Sequence, residues 1–323
     1  MNAKTRTRLT LLAKLFITAS IFWWIFNGID LSLLRERAGQ LSLSVAFICF
    51  AAMLVLGVVA AARLRLLTAH LGTGVPFLAS WKFTMIGMFF NQTLPSTIGG
   101  DAMRVWLLAR RDAWSIRASV HCILIDRALG LFALILVICL TVPWIFATIH
   151  DSQATAAISL IVAIGIAGTL IFLLMPQLPP RIERTRLVTE LRQLRDALRS
   201  VFGNTLVWSF AGMYGVSMYL LNTALVWYVA TEVEIDVDFA ECLVVVPLAF
   251  LISLVPISIA GWGLREGAMI TGFAFAGMPA TDALFLSVTL GISMTLGGLL
   301  GGIVWLVTRA DTPSTEITKA ETS

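Results

Sequence analysis

Residues 89–104 read FFNQTLPSTIGGDAMR, and they interrupt an apolar stretch that begins at 77. A polar run with a proline and paired glycines stops a helix. The segment that follows, 105–117, reads VWLLARRDAWSIR and is amphipathic and basic. Half a chain later, residues 255–267 read VPISIAGWGLREG, again at the end of an apolar stretch, 242–258. The two breaks share the pattern P-x-[ST]-I-x-G-x-x-x-R, running from Pro95 to Arg104 and from Pro256 to Arg265. Paired Gly/Pro-interrupted apolar segments in the two halves of a chain are a sequence pointer to a transport site near the bilayer midplane.

The surrounding composition fixes the solvent. Of the 323 residues 58% are hydrophobic and 13% are charged, against about 25% charged in an ordinary soluble domain. Mean hydropathy is +0.89. The apolar runs are continuous rather than alternating, which excludes a porin-type barrel. They are long enough for membrane helices, which need about 20 residues each. The chain therefore reads as an all-α polytopic membrane protein, with a single membrane domain over 1–308 and a polar cytoplasmic tail over 309–323.

Outward from the breaks, helices are predicted at about 9–29, 42–67, 115–149, 154–175, 205–230 and 283–308. Basic residues before the first apolar run resemble a signal peptide. The run is long and aromatic, Lys14 interrupts it, and no small-residue cleavage site follows, so a retained helix is expected. Residues 181–200 place Leu187, Leu191, Leu194 and Leu198 at helical spacing opposite arginines. Such a helix either lies on the membrane surface or connects by packing on its own protein. Glycines 291, 297, 298, 301 and 302 in the last helix permit close packing.

Charge sets the sidedness, since cytoplasmic loops carry an excess of Lys and Arg. Lys4, Arg6 and Arg8, then Arg63, Arg65 and Lys82, then Arg104, Arg110, Arg111 and Arg117 form basic segments; the 181–200 stretch, Arg309 and Lys319 continue them. The loop at 231–241 carries only acids: Glu232, Glu234, Asp236, Asp238 and Glu241. Both flanks of 83–103 are thus cytoplasmic, and a full crossing there would break the count. The first broken segment, 77–112, is expected to be a hairpin entering from the cytoplasm. The second, 242–278, is expected to be one entering from outside. The expected architecture is about six full transmembrane helices plus two oppositely oriented re-entrant hairpins related by an inverted repeat, with both termini cytoplasmic.

Broken helices expose backbone N–H groups that suit an anion, and arginine forks suit phosphate. The substrate-binding candidates are Asn91, Thr97, Gly99, Gly100, Arg104, Ser258, Gly261, Gly263 and Arg265, with Gln92 and Thr93 as further neutral donors. Asp101, Asp126, Arg127 and Glu266 are candidates for gating or charge pairing. Asp101 can simply neutralise Arg104, and Glu266 a distant arginine. Asp126 and Arg127 are neighbours on one helix and face apart, so each needs its own partner, for instance Arg265 or Glu266 of the opposing hairpin. The histidines 70, 121 and 150 form no metal-ligand pattern. Cys49, Cys122, Cys139 and Cys242 lie in apolar stretches and read as packing residues. Neither a cofactor site nor a catalytic motif is legible.

The stretches FFNQTLPSTIGGDAMRVWLLAR, ILIDRALGL and VPISIAGWGLREGA, in that order, resemble the membrane region of the lysylphosphatidylglycerol synthase/flippase-like family of bacterial integral membrane proteins. The resemblance spans about 9–308. The family's N-x-x-x-P-x-x-x-G-G-D/E-x-x-R pattern falls on Asn91, Pro95, Gly99, Gly100, Asp101 and Arg104; its D-R pair falls on Asp126 and Arg127, and its G-x-G-x-R-E pattern on Gly261, Gly263, Arg265 and Glu266. It implies a lipid-translocating module of the bacterial cytoplasmic (inner) membrane. Full-length synthases of the family add a soluble aminoacyltransferase domain, which the sequence read here does not include, so a transporter rather than an enzyme is expected. The implied substrate is a membrane lipid: phospholipid, glycolipid, polyprenyl-linked or hopanoid-type. An intramembrane enzyme, or a partner subunit of a lipid-modifying enzyme, using Asp101 or Glu266 as acid/base is one alternative; a secondary transporter of a small anion is another. Nucleic acid is not a partner on this reading. A lipid-synthesis enzyme and a second copy of the chain both fit as partners.

Overall fold

The computed structural model describes residues 31–94, 99–111, 113–148, 186–255 and 258–310, with a few isolated residues elsewhere. The predicted helices at 9–29 and 154–175, Pro95 to Ile98 of the first break, Pro256 of the second and the tail beyond 310 lie outside the described residues, apart from scattered positions in the two helices.

Every regular element among the described residues is helical. In chain order these are α1 (Leu31–Gln40), α2 (Leu43–Leu71), α3 (Phe77–Thr93), α4 (Gly99–Ala109), α5 (Ile116–Thr148), α6 (Arg186–Gly203), α7 (Thr205–Glu232), α8 (Phe239–Ser253), α9 (Leu264–Ala274) and α10 (Ala280–Ala310). Local signals set several starts. Ser42 and Asn204 accept from the N–H groups three residues on, the usual N-cap service to an orphan donor. At α8, Glu241 reaches back to the Asp238 N–H, half of a capping box.

Leu43–Leu71, Ile116–Thr141 and Ala280–Thr308 are long and apolar enough to cross a bilayer. The elements flanking the two breaks are shorter. Helices α3 and α4 have 17 and 11 residues, α8 and α9 have 15 and 11. At 1.5 Å per residue none spans more than about 25 Å, short of a hydrocarbon core about 30 Å thick. Within each pair the two arms pack on each other, so each break is a helical hairpin.

The apolar interior divides in two. One core joins Val45–Leu56 of α2, Leu134 and Ile138 of α5, Leu225–Ala230 of α7, Cys242–Ala249 of α8, Met269 and Phe273 of α9, and Ala283–Leu290 of α10. The other joins Leu64 and Leu67 of α2, Ala79 and Phe83 of α3, Leu108 of α4, Cys122–Leu129 of α5, Leu198 and Val201 of α6, and Val207 and Ala211 of α7. Each hairpin belongs to a different core. Helices α2, α5 and α7 run through both. One face of α6 is packed inward: its Leu198 and Val201 are buried in the second core, with Leu194 beside them, and Glu190 pairs with Arg117 and His121 of α5. It packs on its own protein, while Leu191 stays exposed.

The last helix bridges the divide. Its N-terminal half lies in the first core, and its glycines take the first hairpin's arm. A Cβ at Gly301 would fall 1.9 Å from the Met85 carbonyl oxygen, and one at Gly302 would meet the Phe89 ring at 2.8 Å. Backbones approach this closely only at small residues.

One sequence expectation needs correction. Arg63 does not belong to a basic loop after helix two: α2 continues to Leu71, and Arg63 lies inside it, buried. Residues 35–37 lie in helix α1, and Arg37 reaches Asp282 at 3.0 Å and the Val233 carbonyl oxygen.

Candidate functional site

Between the two cores lies a cavity of about 330 Å³. Its walls come from the stretches of α2, α5 and α7 that pass from one core to the other: Ala60 and Arg63, then Asp126, Arg127 and Gly130, then Met218, Tyr219 and Asn222. The first hairpin closes a side with Thr84, Gly87, Asn91, Asp101 and Arg104, and Phe250, Leu254 and Met294 complete it.

The charged groups form one chain of contacts. Asp126 accepts from Arg63 Nε at 2.7 Å and pairs with Arg104 Nη2 at 3.0 Å. Arg104 also lies 3.6 Å from Asp101, and Asp101 accepts from Arg127 Nε. Asp126 is 2% exposed. Ionised groups this deep in an apolar bundle are costly and are held by one another. Asp126 and Arg127 do take separate partners, as neighbours on a helix must. Those partners are not Arg265 and Glu266 of the second hairpin but Arg63, Arg104 and Asp101. The reason is the crossing of α2, α4 and α5, which brings their polar positions together at one level.

The first hairpin's motif is built around its own turn. Asn91 Oδ1 accepts from the Gly100 N–H at 3.1 Å, so an arm residue caps the N-terminus of α4. A Cβ on Gly100 would lie 2.1 Å from the Gly87 carbonyl oxygen and 2.5 Å from Asn91. Gly99 is similarly pressed against Leu94. Thr97 falls outside the described residues.

The second hairpin's motif is closed on itself. Glu266 is fully buried. Its Oε2 accepts from the Gly263 N–H, and its Oε1 accepts from Arg265 Nη2 at 2.6 Å. Ser287 donates to the same carboxylate at 3.2 Å. Arg265 stacks over Trp262 at 4.9 Å and reaches Met294 Sδ. Glu266 therefore neutralises its own neighbour rather than a distant arginine: in the first turn of α9 the long guanidinium side chain folds back far enough to meet it. Gly263 and Gly261 take φ of 86° and 79°, left-handed values that a side chain would resist. Ser258 is buried nearby. Among the candidates of this hairpin, none lines the cavity. Capping by Asn91 and Glu266 also occupies the Gly100 and Gly263 N–H groups, which the sequence reading left open for an anion.

Arg63, Tyr219 and Asn222 line the cavity and were not candidates from the sequence. Arg63 left one signal: it shares a helical face with Leu56, Ala60 and Leu67, whereas Arg65 points off that face and is exposed. Tyr219 and Asn222 left none, since α7 is mostly apolar and a single amide there has no motif around it.

A helical membrane bundle with a charged cavity at the join of two cores is the class defined by this geometry. The chain belongs to the family described as the lysylphosphatidylglycerol synthase TM region, whose model matches residues 11–302. It is similar to a UPF0104 membrane protein of Archaeoglobus fulgidus, 32% identical over 119 residues, covering 37% of this chain and 35% of that one. It is also similar to a UPF0104 membrane protein of Methanothermobacter thermautotrophicus, 24% identical over 223 residues, covering 62% of this chain and 66% of that one. The matches thus span about a third and just under two thirds of these relatives' lengths. Membership and the long apolar helices together make this a membrane protein.

Proposed function

We propose that this protein is a flippase-like transporter that moves an anionic or zwitterionic lipid across the cytoplasmic membrane. The observation that carries the reading is the cluster of buried Arg63, Arg104 and Asp126 with partly buried Asp101 and Arg127 around a cavity, beside a hairpin whose arms are too short to cross. A headgroup enters this cavity while the acyl chains stay in lipid. Arg104, tied to Asp126 and Asp101, binds the phosphate. The Asp101–Arg127 pair gates access. Arg265 and Glu266 act as a structural clasp, not as a second phosphate site.

The reading includes the full membrane plan: about six crossings, two re-entrant hairpins of opposite orientation, and both termini in the cytoplasm. Matching arm lengths in the two hairpins support the inverted repeat. A re-entrant backbone is tolerated where it is buried in protein or lines a wet cavity, and Asn91, Asp101 and Arg104 of the first hairpin's arms line the cavity. The protein acts as a transporter rather than an enzyme; a lipid-synthesis enzyme is a fitting neighbour.

Purified protein in liposomes with a fluorescent phospholipid tests the proposal. Lipid exchange between leaflets should be faster than in empty liposomes and should fall about tenfold or more in Arg104→Ala, which removes a charge-assisted contact. Equal rates in wild type and Arg104→Ala, across several lipid classes, would overturn it.

A further inference from the structure

The cavity's charges and its unmet hydrogen bonds say more about the headgroup than the presence of arginine does. Arg127 and Asp101 pair with each other. That leaves Arg63 and Arg104 sharing the carboxylate of Asp126, with side chains 9%, 11% and 3% exposed. Among the described residues, this buried trio carries one positive charge in excess. An uncompensated buried charge is costly, and an occupant of opposite sign removes that cost.

The hydrogen bonds add a second constraint. Among the described residues, Arg104 Nε is a buried donor with no hydrogen-bond acceptor, Asn222 Oδ1 is a buried acceptor with no donor, and Asp101 Oδ1 has Arg104 Nη1 at 3.6 Å, beyond hydrogen-bond range. Asn222 is 7% exposed. Its orientation is set by Nδ2, which donates to the Met218 carbonyl oxygen at 2.8 Å; turning the amide would put two acceptors together. All three residues line the cavity. The missing partners are one acceptor and at least two donors.

We propose that the cavity is selective for a monoanionic phosphodiester headgroup bearing hydroxyl donors, of the polyol-phosphate or sugar-phosphate kind. This rests on the transport reading and names its substrate class. The phosphodiester supplies the single negative charge and the acceptor for Arg104; the hydroxyls supply donors for Asp101 and Asn222. A choline headgroup offers no donor and no net charge. An ethanolamine headgroup offers donors but leaves the excess charge in place. A lysylated headgroup carries two ammonium groups against one phosphate and so brings a net positive charge beside Arg63 and Arg104; the family's descriptive name is thus a poor guide to this cavity.

Binding, measured without translocation, separates this proposal from the one it rests on. The full chain in detergent is titrated with short-chain phosphatidylglycerol, phosphatidylethanolamine, phosphatidylcholine and lysylphosphatidylglycerol, with native mass spectrometry as the readout. Phosphatidylglycerol should bind about tenfold more tightly than the other three, the scale set by one satisfied buried polar group. Asn222→Leu, which keeps size and removes the acceptor, should cut that preference about tenfold while leaving phosphatidylcholine binding unchanged. Glycerophosphoglycerol, which carries the same headgroup without acyl chains, separates a lipid from a soluble source. Equal affinity for it keeps the headgroup assignment and overturns the lipid reading, and weaker affinity upholds both. Lysylphosphatidylglycerol or phosphatidylethanolamine binding as tightly as phosphatidylglycerol overturns the proposal, as does an Asn222→Leu variant that weakens all lipids alike. If that variant fails to fold, the wild-type ranking still decides. A preserved ranking in a protein that moves no lipid overturns transport alone.

Discussion

Asp126 is the hub of the charge cluster, and its removal has a calculable cost. In Asp126→Asn the shape is kept and the negative charge is lost. Arg63 at 2.7 Å and Arg104 at 3.0 Å then face a neutral amide, which retains only one oxygen to accept from them. Arg104 keeps its looser contact with Asp101 at 3.6 Å, and among the described residues Arg63 has no other carboxylate in an ion pair. Breaking one partner out of a buried ion pair costs about 3–5 kcal/mol, a large share of the roughly 5–15 kcal/mol that holds a typical protein folded. Removing charge in balance costs less, so Arg63→Met combined with Asp126→Leu should be more stable than Asp126→Asn alone. Helical circular dichroism followed through denaturation of the purified protein in detergent measures both. An Asp126→Asn variant within about 1 kcal/mol of wild type would refute the claim that this carboxylate holds two buried cations together, as would a double variant less stable than the single one.

Two further outcomes follow from the hairpins. Gly100→Ala places a methyl 2.1 Å from the Gly87 carbonyl oxygen and displaces Asn91; it should cost about 1–3 kcal/mol of overpacking and about 1 kcal/mol for the lost cap, read as a lowered denaturation midpoint. Glu266→Gln leaves the buried Arg265 without its counterion and should cost about 3–5 kcal/mol, while folded protein in liposomes keeps its rate of lipid exchange, because the pair does not line the cavity; an exchange rate lost at unchanged stability would contradict that placement.

Much of the site was readable because charge is scarce in this chain. Asp101, Arg104, Asp126 and Arg127 stood out as ions in apolar stretches, and the structure gathers all four. The glycine pairs were readable as breaks. What each partner would be was not. Pairing depends on the level at which helices cross, and periodicity along one helix says nothing about its height beside another. Arg63 was hidden by its nearness to Arg65, which made both look like a loop end. The likeness between the two hairpin motifs concealed a difference of role: a short Asp at the first break leaves its arginine open to the cavity, whereas at the second a glutamate one residue from the arginine reaches both it and the helix cap.

The placement of the cavity between two separately packed cores has a consequence for how this protein can change. Met218, Tyr219 and Met294 line the cavity and rank among the partly buried neighbours of the first core, and Leu131 lines it from α5. Exchanging such residues reshapes the cavity and leaves the fully buried positions of both cores intact, so it avoids the cost of opening a hole in close-packed interior. Ligand preference can drift at these positions with little loss of folding, while the charged cluster, where each ion depends on another, admits only paired replacements. The same bundle can thus take a reshaped cavity by substitutions at a few wall positions.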